Sequence, residues 1–147
     1  MTENSIRPAC EEDFNFLVTS FMRSYLSGLE MSGHHANFNY DLNHKNYRNI
    51  VLRLLSCRDI HVLQGEYKND IVGFIVHRTT PTATLVDWLY VKKSFREKGC
   101  GRKLLEFAGA GTKEWLLWTH YSRDVGFMVK KYKCKKSFIC LELTWGF

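Results

Sequence analysis

Residues 89–105 read Leu89-Tyr90-Val91-Lys92-Lys93-Ser94-Phe95-Arg96-Glu97-Lys98-Gly99-Cys100-Gly101-Arg102-Lys103-Leu104-Leu105, and no other stretch of the chain is as specific. The approach to it, Thr84 to Val91, is rich in aromatic and β-branched residues, which predicts a strand. A polar turn, Lys92-Lys93-Ser94-Phe95, leads into Arg96-x-x-Gly99-x-Gly101, after which Leu104, Leu105, Phe107 and Ala108 recur at helical spacing. A helix therefore begins in the glycine loop and is expected to end near Gly109 or Gly111. Gly99 and Gly101 have no Cβ, so the backbone can curl tightly there and bring its N–H groups up to an anion. The start of the helix adds unpaired N–H donors and the positive end of the helix dipole, and Arg96 adds a charged fork. This combination predicts a cradle for a pyrophosphate. A dinucleotide-binding fingerprint would need a third glycine where Leu104 stands, and a P-loop would need a closing Gly-Lys-Ser/Thr.

Upstream, Ile6-Arg7 predicts a short strand, and Asp13 is placed to cap a helix carrying Phe14, Leu17, Val18, Phe21, Met22, Tyr25 and Leu26, with Gly28 as its stop. Ser32 to Asn46 is polar and aperiodic and reads as a loop, followed by a second helix over Tyr47 to Cys57. Ile60 to Tyr67 and Ile71 to Arg78 flank Lys68-Asn69-Asp70 and predict an antiparallel hairpin. Downstream, Trp115 to Thr119 predicts a strand, Ser122 or Asp124 a cap for a short helix to about Lys131, and Ser137 to Thr144 a last strand. Hairpins mixed with helices, without strict βαβ alternation, predict an α+β layered fold. No linker, repeat or low-complexity segment interrupts residues 1–147, so one domain is expected.

The segment from Leu89 to Leu105 resembles the acetyl-CoA-binding segment of the GNAT N-acetyltransferase superfamily: a strand ending in Val, a short polar turn, R-x-x-G-x-G, then an amphipathic helix. Ile6-Arg7-Pro8-Ala9 followed by Asp13 is similar to that family's first strand and helix, and the hairpin that contains Ile71-Val72-Gly73-Phe74 is similar to its second and third strands. The resemblance implies a three-layer fold whose central sheet, of about six to seven strands, is mixed, mostly antiparallel and flanked by helices. It further implies acetyl-CoA as cosubstrate and an amine as acceptor. Glu97, Lys98, Gly99, Cys100, Gly101 and Arg102 would then offer amides to the pyrophosphate with Arg96 alongside, and the strand Leu89, Tyr90, Val91 would hold the pantetheine arm and thioester carbonyl through the backbone of Leu89 and Val91.

Direct transfer needs an acceptor for the ammonium proton and a donor for the leaving thiolate. Asp87 precedes Leu89 by two residues, which at strand periodicity puts it on the same face, near the expected acetyl position, and makes it the first candidate base. His120, at the end of the next strand, is the second. The family pattern Asn-x-x-Ala-x-x-Leu-Tyr-x-Lys-x-Gly-Phe falls on Ser122 to Cys134, where Val129 occupies the tyrosine position and Lys133 the glycine. Valine cannot donate a proton, so Tyr121, Ser122 or Tyr132 substitutes, the thiolate leaves unaided, or catalysis is impaired. By analogy with the fold, Tyr25, His34, His35 and Tyr40 border the acceptor groove.

Composition frames these readings. Net charge is +6, concentrated in Lys92, Lys93, Arg96, Lys98, Arg102 and Lys103 and again in Lys130, Lys131, Lys133, Lys135 and Lys136. Such patches suit a polyphosphate cofactor or a nucleic acid. Five cysteines, odd in number and never Cys-x-x-Cys, argue against disulfides and zinc, and His34, His35 and His44 lack ligand-spaced partners, so no metal is expected. Cys100 reads as a small packed residue, and Trp88, Trp115, Trp118 and Trp145 as core or sheet-face residues. Without an apolar span or leader, a cytoplasmic protein with no membrane attachment is expected. Three readings follow: an N-acetyltransferase acting on a small molecule, a protein amine or an aminoacyl-RNA; a catalytically weak CoA-binding or regulatory protein; and a basic nucleic-acid-binding module. Aromatic strands near the C-terminus are compatible with a homodimer.

Overall fold

The computed structural model describes residues 5–32, 39–65, 70–118 and 136–139. Their contacts divide the chain into two compact units, Ala9–Cys57 and a second made of Met1–Pro8 with Arg58–Phe147.

The first unit is a helical pair, α1 (Phe14–Ser32) and α2 (Tyr40–Cys57). A single 3-10 turn, Glu11–Asp13, precedes α1. Asp13 does not cap from outside, as expected, but from the third position backwards: its Oδ2 accepts the Cys10 N–H at 2.8 Å while its own N–H donates to Cys10 O at 3.0 Å. Gly28 is no stop, because α1 runs through it to Ser32. The second helix starts seven residues earlier than its apolar spacing suggests, at Tyr40 rather than Tyr47. Its start is set by Asn39, whose Oδ1 accepts the Leu42 N–H at 2.9 Å and whose carbonyl accepts the Asn43 N–H at 3.0 Å. The two helices meet through the Phe21 and Tyr47 rings, 6.3 Å apart, and through Arg48, whose guanidinium lies over Phe14.

The second unit is a sheet in sequence order: β1 (Ile6–Pro8), β2 (Asp59–Gln64), β3 (Ile71–Thr79), β4 (Ala83–Val91), β5 (Trp115–Trp118) and β6 (Lys136–Ile139). The pairs β1–β2, β2–β3 and β3–β4 are antiparallel, while β4–β5 and β5–β6 are parallel. The sheet is thus mixed and mostly antiparallel, as expected. The hairpin residues 66–69, the helix expected from Ser122 or Asp124, and the last strand beyond Ile139 lie outside the described residues.

Helix α3 (Cys100–Phe107) packs on β2, β3 and β4 through an apolar cluster of Leu63, Ile75, Val86, Leu104, Leu105 and Leu116, all essentially buried. Cys100 and Trp118 belong to the same cluster, so both are core residues. At the far end of α3 the Ala108 carbonyl accepts two hydroxyls, from Thr84 at 2.8 Å and from Thr79 at 3.1 Å. Gly109 follows with φ +96° and ends the helix where glycine was expected to end it.

Candidate active site

Three parts of β4, its following turn and α3 meet in one continuous stretch. The first is a bulge. β4 pairs Trp88 with Val76 and then Val86 with His77, so Asp87 is an extra residue with no counterpart on β3. The face that packs on α3 carries Thr84 and Val86 before the bulge and Leu89 and Val91 after it. Strict alternation would have put Trp88 and Tyr90 there. Asp87 therefore does not share the face of Leu89 as expected: one inserted residue reverses the phase of the strand, and Asp87 turns to Arg58 instead.

There it is buried, 4% exposed, and its Oδ2 accepts the Arg58 Nε–H at 2.8 Å, with both side chains withdrawn from solvent. Burial raises the Asp87 pKa above its ordinary value, while the charge and hydrogen bond of Arg58 pull it down. Desolvation dominates, yet the pair holds the carboxylate in place.

The second part is the side of β4 beyond Val86 that faces away from β3. Lys92 N–H donates to Val72 O at 2.8 Å, which fixes the alternation of the antiparallel ladder: Trp88 and Tyr90 bond to β3, and Leu89 and Val91 turn their N–H and C=O groups away from it. Among the described residues the ladder to β5 covers Ala83–Val86 and Trp115–Trp118, and these outward groups follow its last described pair, Val86 with Trp118. Close approach of β3 is allowed by Gly73, where a Cβ would sit 2.5 Å from Tyr90 O. Sequence reasoning gave Gly73 no such role; only its cross-strand partner reveals it.

The third part is the turn. After the 3-10 turn Lys93–Phe95, Glu97 takes φ +63° and Gly99 φ +82°, and α3 starts at Cys100. A Cβ at Gly99 would meet nothing within 4 Å, so glycine is required there for its backbone angle, not for space. Gly101 lies inside the first turn of α3 and is not among the positive-φ glycines, so the reversal of the chain is made by Glu97 and Gly99. The first intrahelical bond is Lys103 N–H to Gly99 O, at 3.0 Å, which leaves the preceding amides of Gly99, Cys100 and Gly101 directed out of the helix end. Arg96 donates through Nε to Val91 O at 2.9 Å and so ties this turn to the end of β4. Arg96, Glu97, Lys98 and Arg102 are exposed. Lys98 lies over the Phe95 ring, and Lys92 pairs with Asp70 at 3.1 Å. Donor amides, an αL turn and exposed cations together fit a diphosphate.

His120 and Tyr121 lie outside the described residues, as do His34 and His35. Among the described residues no group of three or more His, Cys, Asp or Glu side chains could hold a metal ion, and no helix is long and apolar enough to cross a membrane. A histidine pair that sequence reasoning passed over sits under α3. His61 Nδ1 and His77 Nε2 are 3.0 Å apart, and His77 Nδ1 is 3.3 Å from Thr79 Oγ1. Both histidines face the Phe107 side of the sheet, and the period-2 placing of residues 61 and 77 was the available signal.

The profile of the acetyltransferase (GNAT) domain matches residues 58–132, just over half of the chain. A comparison with curated proteins returns no match. Among solved structures, the chain is similar to a tetramutant of the BH1408 protein from Bacillus halodurans, at 17% identity and TM-score 0.64 over 91% of this chain and 96% of that one. It is similar to a predicted acetyltransferase with acetyl-CoA from Clostridium acetobutylicum, at 18% identity and TM-score 0.61 over 89% of each chain. It also resembles the PaiA N-acetyltransferase from Thermoplasma acidophilum in complex with coenzyme A, at 16% identity and TM-score 0.53 over 73% of this chain and 70% of that one. It spans 62% and 65% of the length of two other solved structures that it matches. At such identities the structures speak for the fold, and the profile speaks for the family. With the strand, turn and helix that it matches now located, this chain belongs to the GNAT acetyltransferase family.

Proposed function

We propose that the protein transfers an acetyl group from acetyl-CoA to a primary amine by direct attack, with both substrates bound together. The observation that carries this reading is the continuity of the outward backbone groups of Leu89 and Val91 with the amides of Gly99, Cys100 and Gly101, through a turn held by Arg96. A CoA molecule is a diphosphate joined to an extended amide-bearing arm, and this segment offers a helix N-terminus joined to a strand whose Leu89 and Val91 backbone groups turn away from β3.

In the reaction the amine nitrogen bonds to the thioester carbonyl carbon, the C–S bond breaks, and the nitrogen gives up a proton. Backbone N–H groups on the β4 edge, at Leu89 or Val91, polarise the carbonyl. We assign proton acceptance to His120 and protonation of the leaving thiolate to Tyr121, which follow the last described residue of β5 by two and three positions. We read Asp87, whose Oδ2 is bonded to Arg58, as an anchor of the strand and not as the base. The acceptor is an amine whose class lies in the residues bordering the groove.

The test is calorimetric titration of acetyl-CoA into the protein and into Gly101→Glu, which puts a carboxylate among the diphosphate-binding amides. One-site binding in the wild type, lost in a folded variant, is expected; no binding of acetyl-CoA or longer acyl-CoAs by the wild type would sink the reading. Turnover is then measured with a panel of amines, and binding without turnover of any amine class would leave a CoA-binding protein in place of an enzyme.

A further inference from the structure

We infer that the buried Arg58–Asp87 pair is a positioning device: it pins the β4 bulge and thereby selects which backbone groups of the strand face the cosubstrate. The inference rests on the acetyl-CoA reading of the β4 edge.

A bulge in a strand is one residue that can be inserted, lost or moved by a step, and moving it reverses every group beyond it. Here the reversal falls between Val86, paired to Trp118 of β5, and Leu89, whose N–H and C=O groups turn outward. If the strand closed up at Asp87, Trp88 and Tyr90 would take the outward edge, and the packing of Leu89 and Val91 against the α3 cluster would be lost. The apolar side chains favour the observed phase, and the bulged residue itself falls between the β3 register pairs Val76 with Trp88 and His77 with Val86. Arg58 ties that residue to the start of β2. It stands just ahead of β2, two strands away, and spans β3 to reach Asp87 Oδ2 at 2.8 Å.

A buried ion pair contributes little net stability compared with apolar side chains of the same size, because desolvation of both charges offsets their attraction. Such a pair is better suited to fixing a geometry than to strengthening a core. Removing one partner leaves a buried charge at the bulge, and movement of the strand that carries the cosubstrate edge relieves it. The two residues act through Leu89 and Val91, so their effect falls on acetyl-CoA affinity.

The experiment compares wild type, Arg58→Lys, Arg58→Met, Asp87→Asn and the apolar pair Arg58→Met/Asp87→Leu for acetyl-CoA affinity by calorimetry, for the KM and kcat of transfer, and for amide hydrogen exchange at Leu89 and Val91. Arg58→Met and Asp87→Asn are each expected to raise the acetyl-CoA Kd and KM by about tenfold or more, with faster exchange at both amides, and the apolar pair to recover most of the loss, as coupled neighbours do. Arg58→Lys keeps the charge but not the guanidinium geometry, so it folds and should raise Kd by about threefold or more. A wild-type Kd and wild-type exchange in Arg58→Lys, or in either of the other single variants once shown to be folded, would overturn the inference. So would an Asp87→Asn protein that binds acetyl-CoA normally but loses kcat together with one limb of its pH profile, since Asp87 would then be the base. Failure of the wild type itself to bind acetyl-CoA would remove the cosubstrate reading, whereas normal wild-type binding with unaffected variants removes only the role of the pair.

Discussion

The residues under α3 give the clearest prediction for pH. Because the Thr79 hydroxyl donates to Ala108 O, its oxygen accepts from His77 Nδ1–H, which leaves His77 Nε2 as the acceptor for His61 Nδ1–H. The chain works only with His77 neutral. Burial lowers the pKa of His77, the neighbouring His61 lowers it further, and Asp59 acts in the opposite sense; burial likewise lowers that of His61, again against Asp59. A folded-state pKa below the unfolded value of 6.5 means that the unfolded chain binds more protons in the window between the two. Stability is therefore full above about pH 6.5 and falls as pH drops through that window to the lowered folded value. Asp87 has the opposite sign, because its folded pKa is raised: folding gains relative stability as pH falls through that raised value towards 3.8. Urea unfolding between pH 5 and 8 should show stability declining on the acid side in the wild type and a flatter profile in His77→Gln, which cannot titrate. An unchanged slope in that variant would exclude His77 as the source. In the sequence the placing of His61 and His77 on strand faces was the one signal, and their pairing follows only from the cross-strand diagonal of β2 and β3.

Elements were legible to different degrees, for physical reasons. β3, β4 and α3 combine clear periodicity with glycine punctuation, and their bounds fall within about two residues of expectation. α1 and α2 were misjudged because Gly28 was given its usual meaning as a stop and because the cap at Asn39 was submerged in a polar, aperiodic run. The candidate site was half legible. The loop around Gly99 announces itself, but the bulge at Asp87 does not, since a run of aromatic and β-branched residues looks the same in either phase. Gly73 is the element-level counterpart of that bulge. With only 2.5 Å between a would-be Cβ and Tyr90 O, any side chain must push β3 from β4 at the level of the outward carbonyls. Gly73→Val should destabilise the fold by about 1–3 kcal/mol, the usual range for overpacking. It should also weaken acetyl-CoA binding in whatever fraction remains folded. Thermal unfolding with and without acetyl-CoA checks both, and wild-type behaviour in both would show that β3 and β4 have room that the backbone geometry denies.

For the whole molecule the relevant quantity is charge. A net charge of +6 is not spread evenly, and the exposed cations Lys93, Arg96, Lys98 and Arg102 surround the end of α3 where the proposed diphosphate sits. Exposed charges act over roughly a Debye length, about 10 Å at 0.1 M salt and 3 Å at 1 M, so their contribution to holding a polyanion is screened, whereas the backbone hydrogen bonds of the cradle are not. Acetyl-CoA affinity should then fall progressively as sodium chloride is raised from 0.05 to 0.5 M, roughly in line with the number of cations engaged. Lys98→Ala and Arg102→Ala should each weaken binding at low salt and flatten the salt dependence, since they remove the component that salt screens. The same titration separates the transferase reading from the nucleic-acid one. A single-stranded RNA held by these cations would be displaced by saturating acetyl-CoA, because both occupy the α3 end. RNA binding that survives saturation would instead assign it to a different surface, with the second lysine cluster, Lys130 to Lys136, as the place to mutate next.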